Sequence, residues 1–446
     1  MGKLFGTDGV RGVANMGLKP ELAFRVGRAV ASLFTKNEQQ PTLVIGRDTR
    51  ISGQMLEAAL IAGICSAGGN VITLGIVPTP AVAYLIRHLG ADAGIVISAS
   101  HNPAPDNGIK IFSGDGYKLP DAVEEQLEEL VLAEVDQLAR PVGGGVGIVE
   151  YKPEALDMYI DYVTATTQQD FRKLKIVLDC ANGAAFEAAP RVFRRLGAQV
   201  ITINTAPNGV NINVKCGSTH PEALQKAVIE HGAHLGIAHD GDADRVIAVD
   251  EQGEIVDGDF IMAICGINML EKGTLPQNTL VSTVMSNLGF HLAFKKAGGK
   301  LVITQVGDRY VLEAMREQGL ILGGEQSGHI IFLEHNTTGD GLVTAVQLAS
   351  VVKETGKQLS QLASVMTRLP QVLVNVRVKD KTGWDTNPAI LQSIASAEQE
   401  LGEDGRVLVR PSGTEALIRV MAEGPDEKQL QALVEKIVNV VKAELT

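Results

Sequence analysis

The chain of 446 residues has few cysteines, no long apolar run and no excess of positive charge, and each absence excludes a class of protein. No stretch approaches the ~20 apolar residues that a membrane-spanning helix needs. The first residues also lack the apolar core of a signal peptide. The four cysteines are far apart, which favours buried reduced thiols over disulfides or a zinc site. The net charge of −12 argues against a nucleic-acid partner, so we expect a soluble cytoplasmic enzyme.

Three segments of the chain repeat one order of strands and glycines. Each contains the strand tripeptide Val-Ile-Thr, starting at Val71, Val200 and Val302, followed by a Gly-xxx-Gly pair and a polar loop. Only the middle copy carries an insertion. The alternative is chance, because Val-Ile-Thr is a common tripeptide, but the copies also agree in order and spacing. We therefore predict three tandem similar α/β domains with mixed, mostly parallel sheets.

From about residue 369 the pattern changes to that of a smaller α+β domain. Residues 372–378 alternate between apolar and polar, as a half-exposed antiparallel strand does. Two further predicted strands, 406–409 and 416–421, flank a loop, and an amphipathic helix is predicted over 426–445. The resulting prediction is four domains, with bounds at 1–152, 153–254, 255–368 and 369–446.

A polar loop after an apolar strand of the first domain presents Ser100. Asn102 and Pro103 prevent a helix from starting there, since the residue before proline is pushed out of the helical region. A small hydroxyl is thus placed at the carboxyl end of a strand, the edge where open α/β sheets bind ligands. An ordinary turn is the alternative interpretation, and the equivalent loop of the second domain favours the functional one.

That second loop reads Asp-Gly-Asp-Ala-Asp-Arg from Asp240 to Arg245. Its alternating carboxylates, Asp240, Asp242 and Asp244, can face one hard cation, and oxygen ligands favour Mg²⁺ over zinc. An EF-hand is excluded because Arg245 stands where that loop needs glycine. An acidic surface turn without a metal is the remaining alternative.

Positive charge is concentrated beside glycines and in loops, as an anionic ligand would require in a chain of net negative charge. The residues concerned are Arg11, Lys110, Arg245, Arg410 and Arg419. Arg410 is the strongest candidate, because with Ser412 and Thr414 it offers a bidentate fork and hydroxyls to one phosphate. For Arg47 and Arg50, salt-bridged surface positions are an equally good interpretation.

Four motifs, in this order, resemble those of the α-D-phosphohexomutase superfamily along essentially the whole chain. They are a phosphoserine loop around Ser100, a metal loop at Asp240–Arg245, a sugar loop at Gly324–His329 and a phosphate loop at Arg410–Glu415. The opening Phe-Gly-Thr-Asp-Gly-Val-Arg-Gly is similar to that of the bacterial branch acting on glucosamine phosphate. So is Gln326, where the glucose and mannose mutases usually carry methionine.

The resemblance implies a fold arranged around a central cleft and a phosphotransferase that converts glucosamine 6-phosphate to glucosamine 1-phosphate. It places the reaction on the route to UDP-N-acetylglucosamine and the cell wall, with glucosamine 1,6-bisphosphate as intermediate and activator. Ser100 would be a phosphoserine that binds one Mg²⁺ together with the three aspartates. Arg245 and two general acid/base candidates, Lys110 and His101, would be catalytic. The implied substrate-binding residues are Arg11, Glu325, Ser327, His329, Arg410, Ser412, Gly413, Thr414 and Arg419.

Two other functions stay open at this point. One is a phosphoglucomutase/phosphomannomutase of the same superfamily, and the other is a non-catalytic sugar-phosphate sensor. A sensor would not need Ser100, the three aspartates and Lys110 together, which argues against it. The expected partner is a small hexosamine phosphate, without nucleic acid or membrane. A homodimer and an activating protein kinase are further partners that the sequence leaves open.

Overall fold

The protein is described by a computed structural model that covers residues 4–6, 9–37, 39–412 and 416–446. These residues form four β-sheets in chain order and divide into two compact units. The first unit comprises the described residues up to Met285 together with Gly298–Val365. The second comprises Ser286–Ala297 and Met366–Thr446.

The first sheet has six strands and four accompanying helices. In chain order these elements are β1 (Val10–Val13), α1 (Pro20–Phe34), β2 (Thr42–Arg47), α2 (Ser52–Ser66), β3 (Asn70–Ile76), α3 (Thr79–Leu89), β4 (Ala93–Ile97), β5 (Asp106–Ser113), α4 (Asp121–Leu132) and β6 (Val149–Tyr151). The strand order is β1-β5-β4-β2-β3-β6. Strands β2, β3, β4 and β6 are parallel, whereas β5 is antiparallel to both of its neighbours.

The second sheet has five strands in the order β11-β10-β9-β7-β8. Its elements are α5 (Ala155–Ala165), β7 (Lys175–Asp179), α6 (Ala185–Arg195), β8 (Gln199–Ile203), α7 (Glu222–His231), β9 (Leu235–His239), β10 (Val246–Asp250) and β11 (Ile255–Val256). Strands β7, β8 and β9 are parallel, and β10 returns antiparallel to β9.

The third sheet has four strands in the order β13-β12-β14-β15. Its segment of the chain contains α8 (Gly258–Glu271), β12 (Thr279–Thr283), α9 (Leu288–Lys296), β13 (Lys300–Thr304), α10 (Asp308–Gln318), β14 (Leu322–Gly324), β15 (Ile330–Phe332), α11 (Gly341–Thr355) and α12 (Leu359–Ala363). Helix α9 is part of the second unit, whereas the strands are part of the first. The order β3-β2-β4-β5 of the first sheet recurs as β8-β7-β9-β10 and β13-β12-β14-β15, which confirms the predicted triplication.

The repeated Gly-xxx-Gly pairs have one structural cause. The first glycine of each pair ends α3, α7 or α10 in the left-handed conformation, with φ of 66°, 54° and 65° at Gly90, Gly232 and Gly319. A residue with a side chain is strained there. The second glycine lies in the following strand, where a Cβ would press on the helix just completed. At Gly94, for example, it would lie 2.4 Å from Ile86 Cδ1.

The fourth sheet is antiparallel and lies in the second unit, as predicted for a smaller C-terminal α+β domain. Its segment contains β16 (Gln371–Arg377), α13 (Pro388–Leu401), β17 (Arg406–Pro411), β18 (Leu417–Glu423) and α14 (Glu427–Leu445), with strand order β16-β18-β17. Short 3-10 helices lie at Gly143–Gly145, Pro276–Asn278 and Gly402–Asp404. Asp426 accepts hydrogen bonds from the first turn of α14 and caps it. No helix among the described residues is both long enough and apolar enough to span a bilayer.

Candidate active site

Three of the sequence motifs occupy the same connection of the three repeated sheets. Ser100 follows β4, the aspartate loop joins β9 to β10, and the sugar loop joins β14 to β15. In each sheet this is the turn between the third parallel strand of the repeat and its antiparallel neighbour. The motifs are therefore structurally equivalent, and all three lie in the first unit.

Ser100 is held in a buried and strained turn. Its backbone is left-handed (φ 52°), a conformation that costs a non-glycine residue roughly 1–2 kcal/mol. The residue is 2% exposed, and its hydroxyl donates a 2.6 Å hydrogen bond to Asp240 Oδ2. His101 Nδ1 lies 3.3 Å from the same Oγ. The serine loop of the first sheet thus directly contacts the aspartate loop of the second.

The three aspartates form a buried cluster of oxygen ligands. One carboxylate oxygen from each of Asp240, Asp242 and Asp244 lies within 4.8 Å of the other two. Oδ1 of Asp242 and Oδ1 of Asp244 are buried, and neither has a hydrogen-bond partner in the described part of the chain. Buried carboxylate oxygens without partners are costly, whereas a bound cation would satisfy them. The residues present therefore fit a hard divalent metal ion, in agreement with the sequence pattern.

The pKa shifts of the clustered carboxylates are also consistent with a bound cation. Burial, with the neighbouring carboxylates of Asp244 and Asp242, holds the pKa of Asp240 well above its usual range. The pKa of Asp242 is lowered, because Lys110 and the Thr79 hydroxyl outweigh the effect of burial. Protein groups thus stabilise the negative charge of Asp242. The negative charge of Asp240 is destabilised, and a bound cation would stabilise it.

Cationic side chains surround the carboxylates. Lys110, on β5, lies with Nζ 3.0 Å from Asp242 Oδ2 and 3.4 Å from Asp244 Oδ2. The Arg245 backbone N–H donates to Asp240 Oδ1 at 3.3 Å, and its Nε lies 3.9 Å from Asp244 Oδ1. Arg11, on β1, contributes to lowering the pKa of Asp242. The structure thus brings together the predicted metal ligands and three of the predicted cations.

His101 is mostly buried beside these cations. Burial lowers its pKa, and Arg245 and Arg11 lower it further. A neutral imidazole can accept a proton, so this environment is compatible with a general base. His239, which sequence reasoning did not single out, is fully buried immediately before the aspartate loop and has a pKa lowered to about 4 by burial.

The sugar loop packs directly against the aspartate loop. The Val246 backbone N–H donates to the Gly328 carbonyl at 3.0 Å, and Arg245 forms a β-bridge with His329. Glu325 Oε1 accepts from the Gly307 backbone N–H at 3.1 Å. Ser327, the exposed residue of the loop, lies with Oγ 3.5 Å from Glu325 Oε2. Glu325 and Ser327 are thus available at the surface of the turn.

Two further side chains of the sugar loop contact buried or half-buried acidic residues. Gln326 Nε2 donates to the buried Asp259 Oδ2 at 3.1 Å. His329 is 3% exposed, and its Nε2 lies 3.7 Å from Asp308 Oδ2 at the first residue of α10. Neither ring nitrogen of the buried His329 has a hydrogen-bond partner among the described residues.

The fourth motif lies in the second unit. Arg410 on β17 and Arg419 on β18 are directly opposite each other in the antiparallel pair. Burial, and then Arg419, lower the pKa of Arg410. Lys381 Nζ donates to the Ser412 carbonyl at 2.7 Å, which adds a third cation. Two directly opposed arginines, with Lys381 bound to the Ser412 carbonyl, are compatible with a bound anion. The predicted ligands Gly413 and Thr414 lie outside the described residues.

Sequence reasoning missed several residues that complete these sites. Thr79 follows β3 and donates to Asp242 Oδ2 at 2.7 Å. Its position after a strand of the repeat could have indicated it. Asn213, which donates to the Ser100 carbonyl at 2.8 Å, and Lys381 lie in irregular segments where no motif marks them.

The sequence matches all four family models of one enzyme family. Residues 2–137, 157–253 and 257–369 match the models for alpha/beta/alpha domains I, II and III of phosphoglucomutase/phosphomannomutase, and residues 373–440 match its C-terminal domain.

The chain is similar over nearly its whole length to curated bacterial proteins named phosphoglucosamine mutase. The protein of Moorella thermoacetica is 60% identical over 431 residues, with 97% of each chain covered. That of Symbiobacterium thermophilum is 59% identical over 447 residues, with both chains fully covered.

Two solved structures illustrate the shared fold. A Burkholderia thailandensis phosphoglucomutase/phosphomannomutase family protein superposes with a TM-score of 0.82 at 25% identity, covering 98% of this chain and 97% of its own. An Aspergillus fumigatus N-acetylphosphoglucosamine mutase, solved with GlcNAc-6P and magnesium, has a TM-score of 0.73 at 19% identity. It covers 99% of this chain and 96% of its own.

Proposed function

The chain belongs to the phosphoglucomutase/phosphomannomutase family, and on that premise we propose that it converts glucosamine 6-phosphate to glucosamine 1-phosphate. The observation that best supports this proposal is the position of Ser100, whose buried hydroxyl lies 2.6 Å from Oδ2 of Asp240 in the carboxylate cluster. The choice of an amino sugar is supported by the full-length relatives at 57–60% identity that are named phosphoglucosamine mutase. The product would feed UDP-N-acetylglucosamine and peptidoglycan synthesis in the cytoplasm.

The metal in this proposal is Mg²⁺, one ion per active site. Asp240, Asp242, Asp244 and an oxygen of phosphorylated Ser100 would hold it. Oδ1 of Asp242 and Oδ1 of Asp244, which lack hydrogen-bond partners among the described residues, and the raised pKa of Asp240 support this assignment. When bound, the ion supplies charge neutralisation for a phosphoserine that carries about −1.5 to −2 charges.

The reaction starts from the phosphorylated enzyme. The O1 hydroxyl of glucosamine 6-phosphate attacks phosphorus, the bond from phosphorus to Ser100 Oγ breaks, and glucosamine 1,6-bisphosphate forms. The O1 proton passes to a general base, for which Lys110 and His101 are the candidates, with Arg245 stabilising charge beside them. Ser100 Oγ receives a proton as it leaves. Phosphoryl transfer needs mainly positioning and charge stabilisation, which these groups can provide.

The second half-reaction is the reverse at the other end of the sugar. The bisphosphate reorients, and Ser100 Oγ attacks the phosphorus on O6, losing its proton to the same base. The O6 oxygen takes up a proton, and glucosamine 1-phosphate is released from a rephosphorylated enzyme. The bisphosphate therefore also acts as the activator that loads an unphosphorylated chain.

Substrate binding is assigned to two sets of residues. Glu325, Ser327 and His329 would hydrogen-bond the sugar, and Arg11 would bind substrate beside Ser100. The non-reacting phosphate would be bound by the loop of the second unit, through Arg410, Ser412, Gly413, Thr414 and Arg419. The opposed arginines and Lys381 support that part of the proposal.

Two possible protein partners belong to the proposal as well. A homodimer is supported by β6, an edge strand whose Val149 and Tyr151 are exposed. An activating kinase for Ser100 stays a prediction. Because Ser100 is 2% exposed, its geometry favours a small bisphosphate as the phosphate donor.

The proposal is tested by turnover of a panel of hexose phosphates in a coupled assay. We expect the highest kcat/KM for glucosamine 6-phosphate. A preference for glucose or mannose phosphates would instead identify a phosphoglucomutase/phosphomannomutase. Binding of sugar phosphate without turnover of any of them would support the sugar-phosphate sensor.

A further inference from the structure

The end of β2 and the loop after it contain two arginines that the sequence does not distinguish, and the structure gives them different surroundings. Arg47 pairs through Nε with Glu57 of α2 at 2.8 Å, and both side chains are 13% exposed. Arg50 is completely buried and pairs through Nε with the equally buried Asp48 at 2.9 Å. A buried ion pair is costly unless its remaining donors are satisfied.

Three hydrogen bonds from the two Nη groups of Arg50 go to the phosphoserine loop. Nη2 donates to the carbonyls of Ser100 and Asn102, both at 2.9 Å, and Nη1 donates to the carbonyl of Pro103 at 3.0 Å. A planar guanidinium can reach three carbonyls in one plane, which a lysine ammonium cannot do. Arg50 therefore fixes the backbone of this loop without contacting the hydroxyl of Ser100.

A second side chain reaches the same carbonyls from the domain of the second sheet. Asn213 Nδ2 donates to the Ser100 carbonyl at 2.8 Å and to the Asn102 carbonyl at 3.0 Å. Asp48 extends the network, because it accepts from the Ser98 hydroxyl at 2.6 Å. The Ser98 oxygen accepts in turn from the Ser100 backbone N–H at 3.0 Å. Both peptide groups of Ser100 are thus held, which explains how its left-handed conformation persists.

We propose that Arg50 and Asn213 form a carbonyl clamp that positions the phosphoserine for transfer. The proposal rests on the mutase function above. During each cycle Ser100 loses and regains a phosphoryl group, so its surroundings change by nearly two charges. The clamp keeps Oγ directed at the carboxylate cluster in both states. Because it contacts neither sugar nor phosphate, it affects kcat and leaves KM unchanged.

Three variants of the full-length enzyme test the clamp. Arg50→Lys keeps the charge opposite Asp48 but not the planar fork, and we expect kcat for glucosamine 6-phosphate to fall roughly 10- to 100-fold. Asn213→Ala removes the second donor, and we expect a smaller fall of about 3- to 10-fold. In both, KM stays within about twofold of wild type. Arg47→Lys is the matched control and keeps wild-type kinetics.

Phosphoserine formation provides a readout that a purely structural role would not change. The rate at which a hexose 1,6-bisphosphate loads Ser100, followed by intact mass spectrometry, is expected to fall in parallel with kcat. The thermal midpoint is measured on the same samples. Slower loading at an unchanged midpoint supports the clamp.

Several results would overturn the proposal. A folded Arg50→Lys variant with wild-type kcat would do so, and so would a loss confined to KM. If Arg50→Lys does not fold, Asn213→Ala decides, and wild-type loading and kcat in that variant contradict the clamp. If the wild-type enzyme does not turn over glucosamine 6-phosphate, the proposed function is wrong. The clamp is then judged by the loading rate alone, which requires no sugar specificity.

Discussion

Replacing Asp242 by asparagine tests the metal site, because the two oxygens of this carboxylate have different hydrogen-bond partners. Oδ2 accepts from Lys110 at 3.0 Å and from Thr79 at 2.7 Å, whereas Oδ1 is buried without a hydrogen-bond partner among the described residues. Asparagine keeps an oxygen at this position but removes a unit of negative charge. It also leaves the Lys110 ammonium with one fewer counter-charge.

The size of the effect follows from Coulomb's law. Two unit charges 4 Å apart interact by about 4 kcal/mol at an effective dielectric constant of ~20. A divalent ion doubles this loss, while easier deprotonation of Asp240 in the absence of the Asp242 charge offsets part of it. A net loss of about 3 kcal/mol corresponds to roughly 100-fold weaker Mg²⁺ binding.

The assay is a calorimetric titration of Mg²⁺ into chelator-treated protein, with activity followed against free Mg²⁺ in parallel. Both curves are expected to shift by about 100-fold in Asp242→Asn. Asp426→Asn is the control, because Asp426 is an exposed residue that caps α14 and asparagine caps a helix equally well. Wild-type Mg²⁺ dependence in Asp242→Asn, or full wild-type activity in excess chelator, would show the loop to be an ordinary acidic turn.

Three other predictions concern separate parts of the chain. Arg410→Lys is expected to raise KM and lower kcat together without a change in thermal midpoint, because lysine cannot bind a phosphate through two N–H groups at once. If the variant unfolds or its kinetics are unchanged, that loop has a structural role. His291 has a pKa lowered to about 4 by burial and Arg406, so it contributes no charge to the fold near neutrality. The unfolded chain binds the proton of this histidine near pH 6.5, so stability falls as the pH drops from there towards 4. His291→Asn should reduce that acid-side loss in unfolding titrations, and an unchanged pH dependence would contradict the reasoning. Gly241→Ala would place a Cβ 2.5 Å from a backbone oxygen of the serine loop, so we expect a loss of about 1–3 kcal/mol in urea unfolding, against none for Gly144→Ala, where a Cβ meets open space.

Much of the fold follows from short-range patterns in the sequence. The Gly-xxx-Gly pairs mark a left-handed helix end and a strand that packs closely on that helix, so their threefold repetition predicts the repeated sheets. The predicted C-terminal helix and strands lie within two residues of their observed bounds. The predicted domain bounds remain predictions. Along the chain, α9 stands between β12 and β13 of the third sheet. No pattern in the sequence indicates that this helix is part of the second unit.

The candidate site is predictable only where its residues stand in recognisable loops. Ser100 and Asp240 follow strands, and the carboxyl edge of an α/β sheet is where ligands bind. Arg47 and Arg50 are indistinguishable in the sequence, because both stand where the same apolar strand runs into polar residues and each has an acidic residue within reach. Only tertiary packing shows that one faces α2 and the other the carbonyls of the serine loop. Asn213 depends on a contact across more than a hundred residues, for which a single sequence has no signal.

The central claim is that Ser100 is the residue that donates and regains the phosphoryl group. The most direct measurement compares wild type with Ser100→Ala by intact mass spectrometry and by turnover of glucosamine 6-phosphate with the bisphosphate present. We expect a species one phosphate heavier in the wild type only, and activity lower by several orders of magnitude in a variant that remains folded. Near-normal turnover by Ser100→Ala, or the same added phosphate on that variant, would contradict the account.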